Sequence, residues 1–466
     1  MAGQYEKQHG KGVKWGILLP CILIGIAIVG ALALWGGYWL LQQHAEESMV
    51  PQMQEQPGSS QASSAPPSTP PTMLPVVKQS TATVGATGDI LLHDRVIKSG
   101  YDAKTGTYNF DGMFDFFSAY VSSVDYAVAN LEVTLCGEDN GYKYSGYPCF
   151  NAPDAIVDAA KKAGFDMLLT ANNHSYDTRT KGFFRTQEVL KDRNLDYIGT
   201  RYNTEDKNYI VKDINGIKIG MICYTYNTGV DEKGNVSLNS IPLTAEASGL
   251  INTFSYNDLN GFYEKLGEEL TAMRAEGAEA TMLFIHWGDE YKLQANSTQK
   301  KMAQALCDLG IDVIVGNHAH VPQPVQLLTN TQDEAKKTLC LYSTGNSVSN
   351  IRRGEDYPAE TEDGMLFCVT FAKYSDGTVV VESADILPTW VNRYIQGSQT
   401  FYKIMTMHTG DSHNWRESMG LTNDMLKVCQ ESYDRTMKIV GPGLEEANQY
   451  FLKNQAEVEQ LLGVTQ

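Results

Sequence analysis

Basic side chains are scarce in this sequence: 37 Lys and Arg stand against 55 Asp and Glu, a formal net charge of −18. No local cluster of basic residues offsets that balance, which excludes nucleic acid as a partner and disfavours loose contact with any polyanion. An anionic ligand has to be gripped in a local pocket. Proline is scarce as well, 16 residues beside 41 Gly, and with a hydrophobic fraction of 42% this excludes a collagen-like or disordered chain. A length of 466 residues suits one large folded core with appendages.

Charge is missing altogether between Gly16 and Gln43, an apolar run longer than the roughly 20 residues that cross a bilayer core. Lys7, Lys11 and Lys14 precede it and Glu46 and Glu47 follow, which places the N-terminus in the cytoplasm and the remainder outside. Trp35, Tyr38 and Trp39 suit the outer interface. The alternative is a cleaved signal peptide, since Ala31-Leu32-Ala33 resembles a cleavage site, but the apolar run continues past that point. On either reading the rest of the chain is exported. Large apolar side chains are nearly absent from Ser48 to Pro75, a Pro-, Ser-, Gln- and Thr-rich stretch that cannot bury enough surface to offset its ordering entropy. The predicted organisation is a cytoplasmic N-terminus (1–15), a single transmembrane anchor (16–43), a stalk (44–79), an extracellular folded domain (80–392) and a helical C-terminal region (393–466) held at the cell membrane.

From Ser80 to Trp390, short β-branched apolar runs alternate with amphipathic stretches, the pattern of α/β layering. Strands are predicted at 81–89, 126–132, 165–174, 217–226, 280–288, 312–320 and 338–346. A hairpin over 364–387 turns at Ser375-Asp376-Gly377. Helices are predicted at Pro153 to Ala163, Phe183 to Arg193, Leu259 to Ala275 and Thr298 to Leu309.

Run after run ends in a side chain able to bind metal or to hydrogen-bond strongly. The endings are Asp89; Asn130 and Glu132; Asn172, Asn173 and His174; His286; His318 and His320; and Asn346. The carboxyl ends of strands in open α/β sheets are where ligands bind. A single such residue is explained by capping or by a satisfied loop backbone. This many, drawn from across the domain, are not. The mixed oxygen and nitrogen set suits Mn, Fe or Zn, and two such ions held close together serve phosphoryl transfer.

The segments GDILLHDRV, NLEVTL, TANNHSYD, HWGDEY, GNHAHVPQ and STGNS stand in the order and approximate spacing of the CapA family. The region from about Ser80 to Asn350 resembles these poly-γ-glutamate capsule synthesis proteins, which are built on a calcineurin-like metallophosphoesterase fold. The resemblance implies a β-sandwich of that type flanked by helices, preceded by the transmembrane helix and followed by the helical tail. It also implies two divalent metal ions, with Asp89 and His320 on the first, Glu132 bridging, and Asn173, His286 and His318 on the second. His174 is implied as the catalytic proton donor to a leaving group. Asn130, Asn172, Glu290, Asn346, Arg352 and Arg353 are candidates for substrate contact or for supporting the ligands, the two arginines through forked hydrogen bonds to an anion. Two departures stand out: Asp89 lacks the Asp-x-His pairing of metallophosphoesterases, the nearest histidine being His93, and Glu132 occupies a position where Asp is usual.

Cys136 and Cys149 flank the loop GEDNGYKYSGYP and are the candidate disulfide in an oxidising compartment. Cys223, Cys340 and Cys368 read as buried, inert thiols. His408 and His413 fall outside the matched motifs.

The family resemblance implies a part in the synthesis, export or attachment of poly-γ-glutamate or a related capsule polymer, beside a membrane-bound ligase and a transporter. The alternatives are a metal-dependent phosphoesterase acting on a cell-envelope substrate and a non-catalytic polymer-binding scaffold. Anionic polymer or phosphoester is the expected ligand.

Overall fold

The structure is a computed structural model and describes residues 76–139, 141–407 and 419–461. The predicted anchor at 16–43, nearly all of the stalk, His408 and His413 lie outside the described residues. Among the described residues no helix is long and apolar enough to cross a membrane.

Two mixed sheets stack face to face. In the first, the order runs Gln399–Thr406, Val379–Gln396, Asp363–Tyr374, Lys78–Ile90, Tyr126–Leu131, Met167–Leu169, Asp196–Ile198, and Asn346–Val348 also pairs with Lys78–Ile90. In the second it runs Thr253–Phe254, Ile217–Tyr226, Ala280–His286, Val313–Asn317, Lys337–Leu341, Val325–Thr329, with Tyr209–Ile214 added beside Ile217–Tyr226.

The central strands are buried on both faces, so they read as continuous apolar runs whose alternate residues enter different cores. Met282 and Phe284 face the core between the sheets, whereas Leu283 and Ile285 face an outer core. That outer core is covered by Leu259–Ala275 and Ser297–Asp308, the latter opened by a capping box of Asn296 and Gln299. The first sheet does the same, with Tyr126 and Val128 inward and Ala127, Ala129 and Leu131 outward beneath the helices Ala155–Ala163 and Arg179–Asp192. The result is the expected α/β layering.

Register sets the ends of the parallel strands level. Asp89 pairs with both Asn130 and Asn346, and His286 pairs with both Thr225 and Asn317. The polar endings of both sheets therefore meet at one edge of the sandwich. Close approach is needed there: a Cβ on Gly88 would stand 1.9 Å from the Gly345 carbonyl oxygen, so only glycine lets the Asp89 strand lie against the loop that carries Asn346.

The C-terminal region differs from its prediction in one respect. The helical tail is present as Asn423–Leu461, but residues 393–406, predicted as helical, are the end of one strand at Gln396, a turn and the strand Gln399–Thr406. Tyr402 and Ile404 pack into the outer core of the first sheet, and that burial overrides any local helical preference. The long helix is held by Arg435, which grips Asp363 with Nε and Nη2 at 2.9 and 2.8 Å, and by Ser432, whose hydroxyl donates to Asp363 at 2.6 Å. Val440, Leu444, Ala447 and Phe451 enter the core between the sheets.

The predicted disulfide is absent: Cys136 and Cys149 are both free thiols. Cys136 is buried toward the segment of Thr178 and Gly182, while Cys149 lies exposed on the loop, so the two side chains are sent into different surroundings. Cys223 and Cys340 are buried, as expected of inert thiols, whereas Cys368 is only partly buried.

Candidate metal centre

Every ligand implied by the family resemblance arrives at the level edge. The first sheet supplies Asp89 from its central strand, Glu132 from just past Leu131, and Asn173 from the loop after Leu169. The second supplies His286 at a strand end, then His318 and His320 just past Asn317. All six are buried, none more than 4% exposed. The two histidines of the last loop hold positive φ, +92° at His318 and +54° at His320, a backbone state that non-glycine residues keep only where the surroundings impose it.

The ligand atoms fall into two overlapping groups that share one carboxylate. Glu132, His286 and His318 form one, and Asp89, Glu132 and His320 form the other, with ligand atoms within 4.8 Å of one another in each. Glu132 Oε1 lies 3.5 Å from His286 Nε2 and 3.7 Å from His320 Nε2. His286 Nε2 is 2.7 Å from Asn173 Oδ1 and 3.1 Å from His318 Nδ1. Asp89 Oδ2 and Glu132 Oε1 are buried without any hydrogen bond, the former 3.0 Å from His320 Nδ1 but not aligned with it. Buried carboxylate oxygens are almost always satisfied, and two left open at the middle of a nitrogen-rich cluster are what a pair of divalent cations would fill.

The titration behaviour agrees. Burial, then the neighbouring Asp89 and Glu290 carboxylates, push the Glu132 carboxyl well above its ordinary range. Burial and the other imidazoles push His286 and His318 well below theirs, which keeps them neutral. Burial pulls His320 down too, but Asp89, with Glu290 and Asn346 added, outweighs this and leaves it raised. Neutral imidazoles suit metal ligation, and a cation at Glu132 would reverse the penalty on its ionised form.

Around the ligands sits a shell of carboxamides. Asn130 Nδ2 donates to Asp89 Oδ1 at 2.7 Å, Asn172 Nδ2 donates to Asn130 Oδ1 at 3.2 Å, and Asn346 Oδ1 lies 3.1 Å from His320 Nδ1. These candidates thus support ligands, as partners that orient ligands do. Glu290 lies exposed at the mouth beside Tyr291. Arg352 does not point at the centre. It is engaged with the Val391 carbonyl at 2.7 Å and with Glu362 at 3.2 Å, while Arg353 is exposed.

Several residues escaped the sequence reading. Asp177 Oδ2 sits 2.7 Å from His174 Nδ1 and also accepts the Phe150 N–H, so it fixes the imidazole; its place three residues after His174 in NHSYD was the available sign. Asn317 Nδ2 donates to Asp89 Oδ1 at 3.2 Å. Tyr291, at φ +62°, donates its backbone N–H to Ala319 and lays its ring along His320 at 6.1 Å between centroids, bracing the strained loop. Asn239 touches both Asn173 and His174, and nothing local in the sequence announces it.

Residues 83–351 match the family described as bacterial capsule synthesis protein PGA_cap, more than half of the chain. The chain belongs to this capsule synthesis family. It is 29% identical over 250 residues to the capsule biosynthesis protein CapA of Bacillus anthracis, covering 52% of this chain and 54% of that one. It is 26% identical over 240 residues to the PGA biosynthesis protein CapA of Bacillus subtilis (strain 168), covering 51% and 57%. The chain spans about half the length of the curated relatives it matches. Among solved structures, NAD nucleotidase of Haemophilus influenzae aligns at a TM-score of 0.40 with 11% identity, over 83% of this chain and 61% of that one. All six residues implied as ligands fall within the matched residues.

Proposed function

We propose that this chain takes part in the synthesis, export or attachment of poly-γ-glutamate or a related anionic capsule polymer at the outer face of the cell membrane, through a two-metal centre. The observation that carries the reading is Glu132, a member of both ligand groups, whose unsatisfied Oε1 lies 3.5 Å from His286 Nε2 and 3.7 Å from His320 Nε2. The apolar run 16–43 would anchor the chain with its N-terminus in the cytoplasm, and the stalk would set the folded domain outside, beside a polymer ligase and a transporter.

Two divalent cations, Mn, Fe or Zn, would supply charge stabilisation at an oxygen of the substrate and acidify water near neutral pH. Asp89, Glu132 and His320 would hold one, and Glu132, Asn173, His286 and His318 the other. His174, fixed through Nδ1 by Asp177, presents Nε2 as the group that passes a proton to a departing oxygen. Phe150 packs edge-on against that imidazole at 4.7 Å and limits its rotation.

The His174–Asp177 pair favours a second reading, a metal-dependent phosphoesterase working alone on a cell-envelope substrate, because an oriented acid is needed wherever an alkoxide leaves. Elemental analysis of the purified full chain, with a His318→Ala/His320→Ala double variant alongside, tests the centre. About two transition metals per chain, lost in the variant, is the expected result. A chain that stays empty after incubation with Mn²⁺, Fe²⁺ and Zn²⁺ would overturn the catalytic reading and leave a polymer-binding scaffold. Turnover of a generic phosphoester against cleavage or transfer of a glutamyl polymer separates the two catalytic readings.

A further inference from the structure

Val236–Leu238 and Ile241–Pro242 form a hairpin in which Leu238 pairs directly with Ile241. The two connecting residues, Asn239 and Ser240, both sit in the left-handed region, at φ +46° and +61°. Two-residue hairpin turns of this hand favour asparagine followed by glycine. Asparagine meets the first demand, but a serine in the second place is held against its preference. Such a conformation persists where the surroundings over-determine it, and it concentrates at functional sites.

The surroundings here are well defined. Leu238, Leu243, Leu250 and Ile251 share a small core with Tyr176 and Phe183, which closely follow His174 in sequence. Ser240 donates its N–H to Thr228 Oγ1 at 2.8 Å. The hairpin is thus fastened to the segment that carries the proton donor, and its tip reaches the metal centre.

At the tip, Asn239 Oδ1 accepts from Asn173 Nδ2 at 3.1 Å, and Asn239 Nδ2 lies 3.3 Å from His174 Nδ1. A carboxamide is nearly symmetrical in shape, yet one end only accepts hydrogen bonds and the other only donates them. Asn173 can show its oxygen to His286 Nε2, 2.7 Å away, when its nitrogen has an acceptor on the far side. Asn239 Oδ1 is that acceptor. Turned the other way, Asn173 would put an N–H among the ligand atoms. At the other end of Asn239 the Asp177 carboxylate is nearer to His174 Nδ1, at 2.7 Å, and one ring nitrogen cannot donate to it and accept from Asn239 at once. The Asn239 amide there acts as a steric stop on the imidazole.

We infer that Asn239 is a positioning residue whose carboxamide turns the Asn173 oxygen toward the His286–His318 half of the centre and braces His174. The inference rests on the two-metal reading of the previous subsection, and it extends the centre to a hairpin outside the ligand-bearing strand ends.

The test compares the full chain, with ¹⁵N-labelled histidine, as wild type, Asn239→Gly, Asn239→Asp and Ser240→Gly. Glycine at 239 accepts the positive φ and removes only the carboxamide, aspartate keeps the acceptor for Asn173, and Ser240→Gly relaxes the turn without touching the site. In Mn²⁺ titrations followed by calorimetry, Asn239→Gly should weaken one of the two ion sites about tenfold and spare the other. Asn239→Asp should restore that site, and Ser240→Gly should match wild type. In the metal-free chain the imidazole ¹⁵N resonances of His174 and His286 should move in Asn239→Gly. Unchanged ion affinities with unmoved resonances would overturn the inference, as would equal losses in Asn239→Gly and Ser240→Gly, which would assign the effect to the turn. A wild-type chain that takes up no Mn²⁺ defeats the two-metal reading instead. The metal-free resonances then decide the role of Asn239 alone, movement supporting it and no movement overturning it.

Discussion

His320 Nδ1 stands 3.0 Å from Asp89 Oδ2, although Asp89 belongs to one sheet and His320 follows a strand of the other. The ligand cluster therefore exists only when the two sheets are docked, and whatever binds it must favour the folded chain over the unfolded one. With Mn²⁺ at 100 times its dissociation constant, folding should gain about 2.7 kcal/mol. Thermal melts with Mn²⁺ and with a chelator should separate accordingly, and Glu132→Gln should shrink the gap because the shared carboxylate is gone. Melts that ignore both ion and chelator would contradict the assignment.

If the chain turns over a phosphoester, the second reading proposed above, Asp177→Asn should leave the ion content intact and lower that turnover by about 100-fold, since His174 loses the partner that fixes its ring and its tautomer. Activity and metal analysis on the same preparation check this. A fall in metal content to match the activity would mean that Asp177 serves the ligands and not the proton donor.

Acid should weaken the fold through His93. Burial, then the nearby His320, lower this imidazole to about 4, and its Nδ1 accepts the Asn350 N–H at 3.3 Å. In the unfolded chain it titrates near 6.5, so between these values the unfolded state holds a proton that the folded state does not. The contribution is complete above about pH 6.5 and is lost as pH falls toward 4, on the order of 3 kcal/mol in all. Denaturation from pH 7 to 4 should show a shallower decline for His93→Asn than for wild type. Parallel declines would remove His93 from the account.

Arg435→Ala should destabilise the chain by about 3 kcal/mol, because Asp363 is fully buried and would lose its only cationic partner among the described hydrogen bonds. Burial already pushes Asp363 up to about 6 with the arginine beside it. Chemical denaturation measures the loss, and a double Asp363→Leu/Arg435→Met variant should recover much of it, since a packed apolar pair needs no partner charge.

Much of this was legible before any coordinates. Ile217–Tyr226 and Leu259–Ala275 could be read to the residue, the first as a continuous apolar run between polar breaks and the second as an amphipathic stretch opened by Asp258, which caps it through Gly261. The polar strand endings are legible because such chemistry repeats along the chain, and the resemblance to the CapA family is what singles out which of them would serve as ligands. What escaped depends on contacts between distant segments. Gln399–Thr406 is strand and not helix because Tyr402 and Ile404 find a core, a fact no local pattern carries. Arg352 reads as a free cation until Glu362 and the Val391 carbonyl are seen to hold it. Asn239 reads as an ordinary turn residue until the hairpin is folded back onto Asn173.

The core between the sheets is closed on one side by Val440, Leu444, Ala447 and Phe451, and Gly443 lies so close to the chain that a Cβ there would stand 1.9 Å from the Val325 carbonyl oxygen. A polypeptide made from its N-terminus presents all the metal ligands long before it presents this helix. Residues 437–451 thus line the shared interior without supplying any candidate ligand, and a chain cut short before them would leave one flank of that interior open to water.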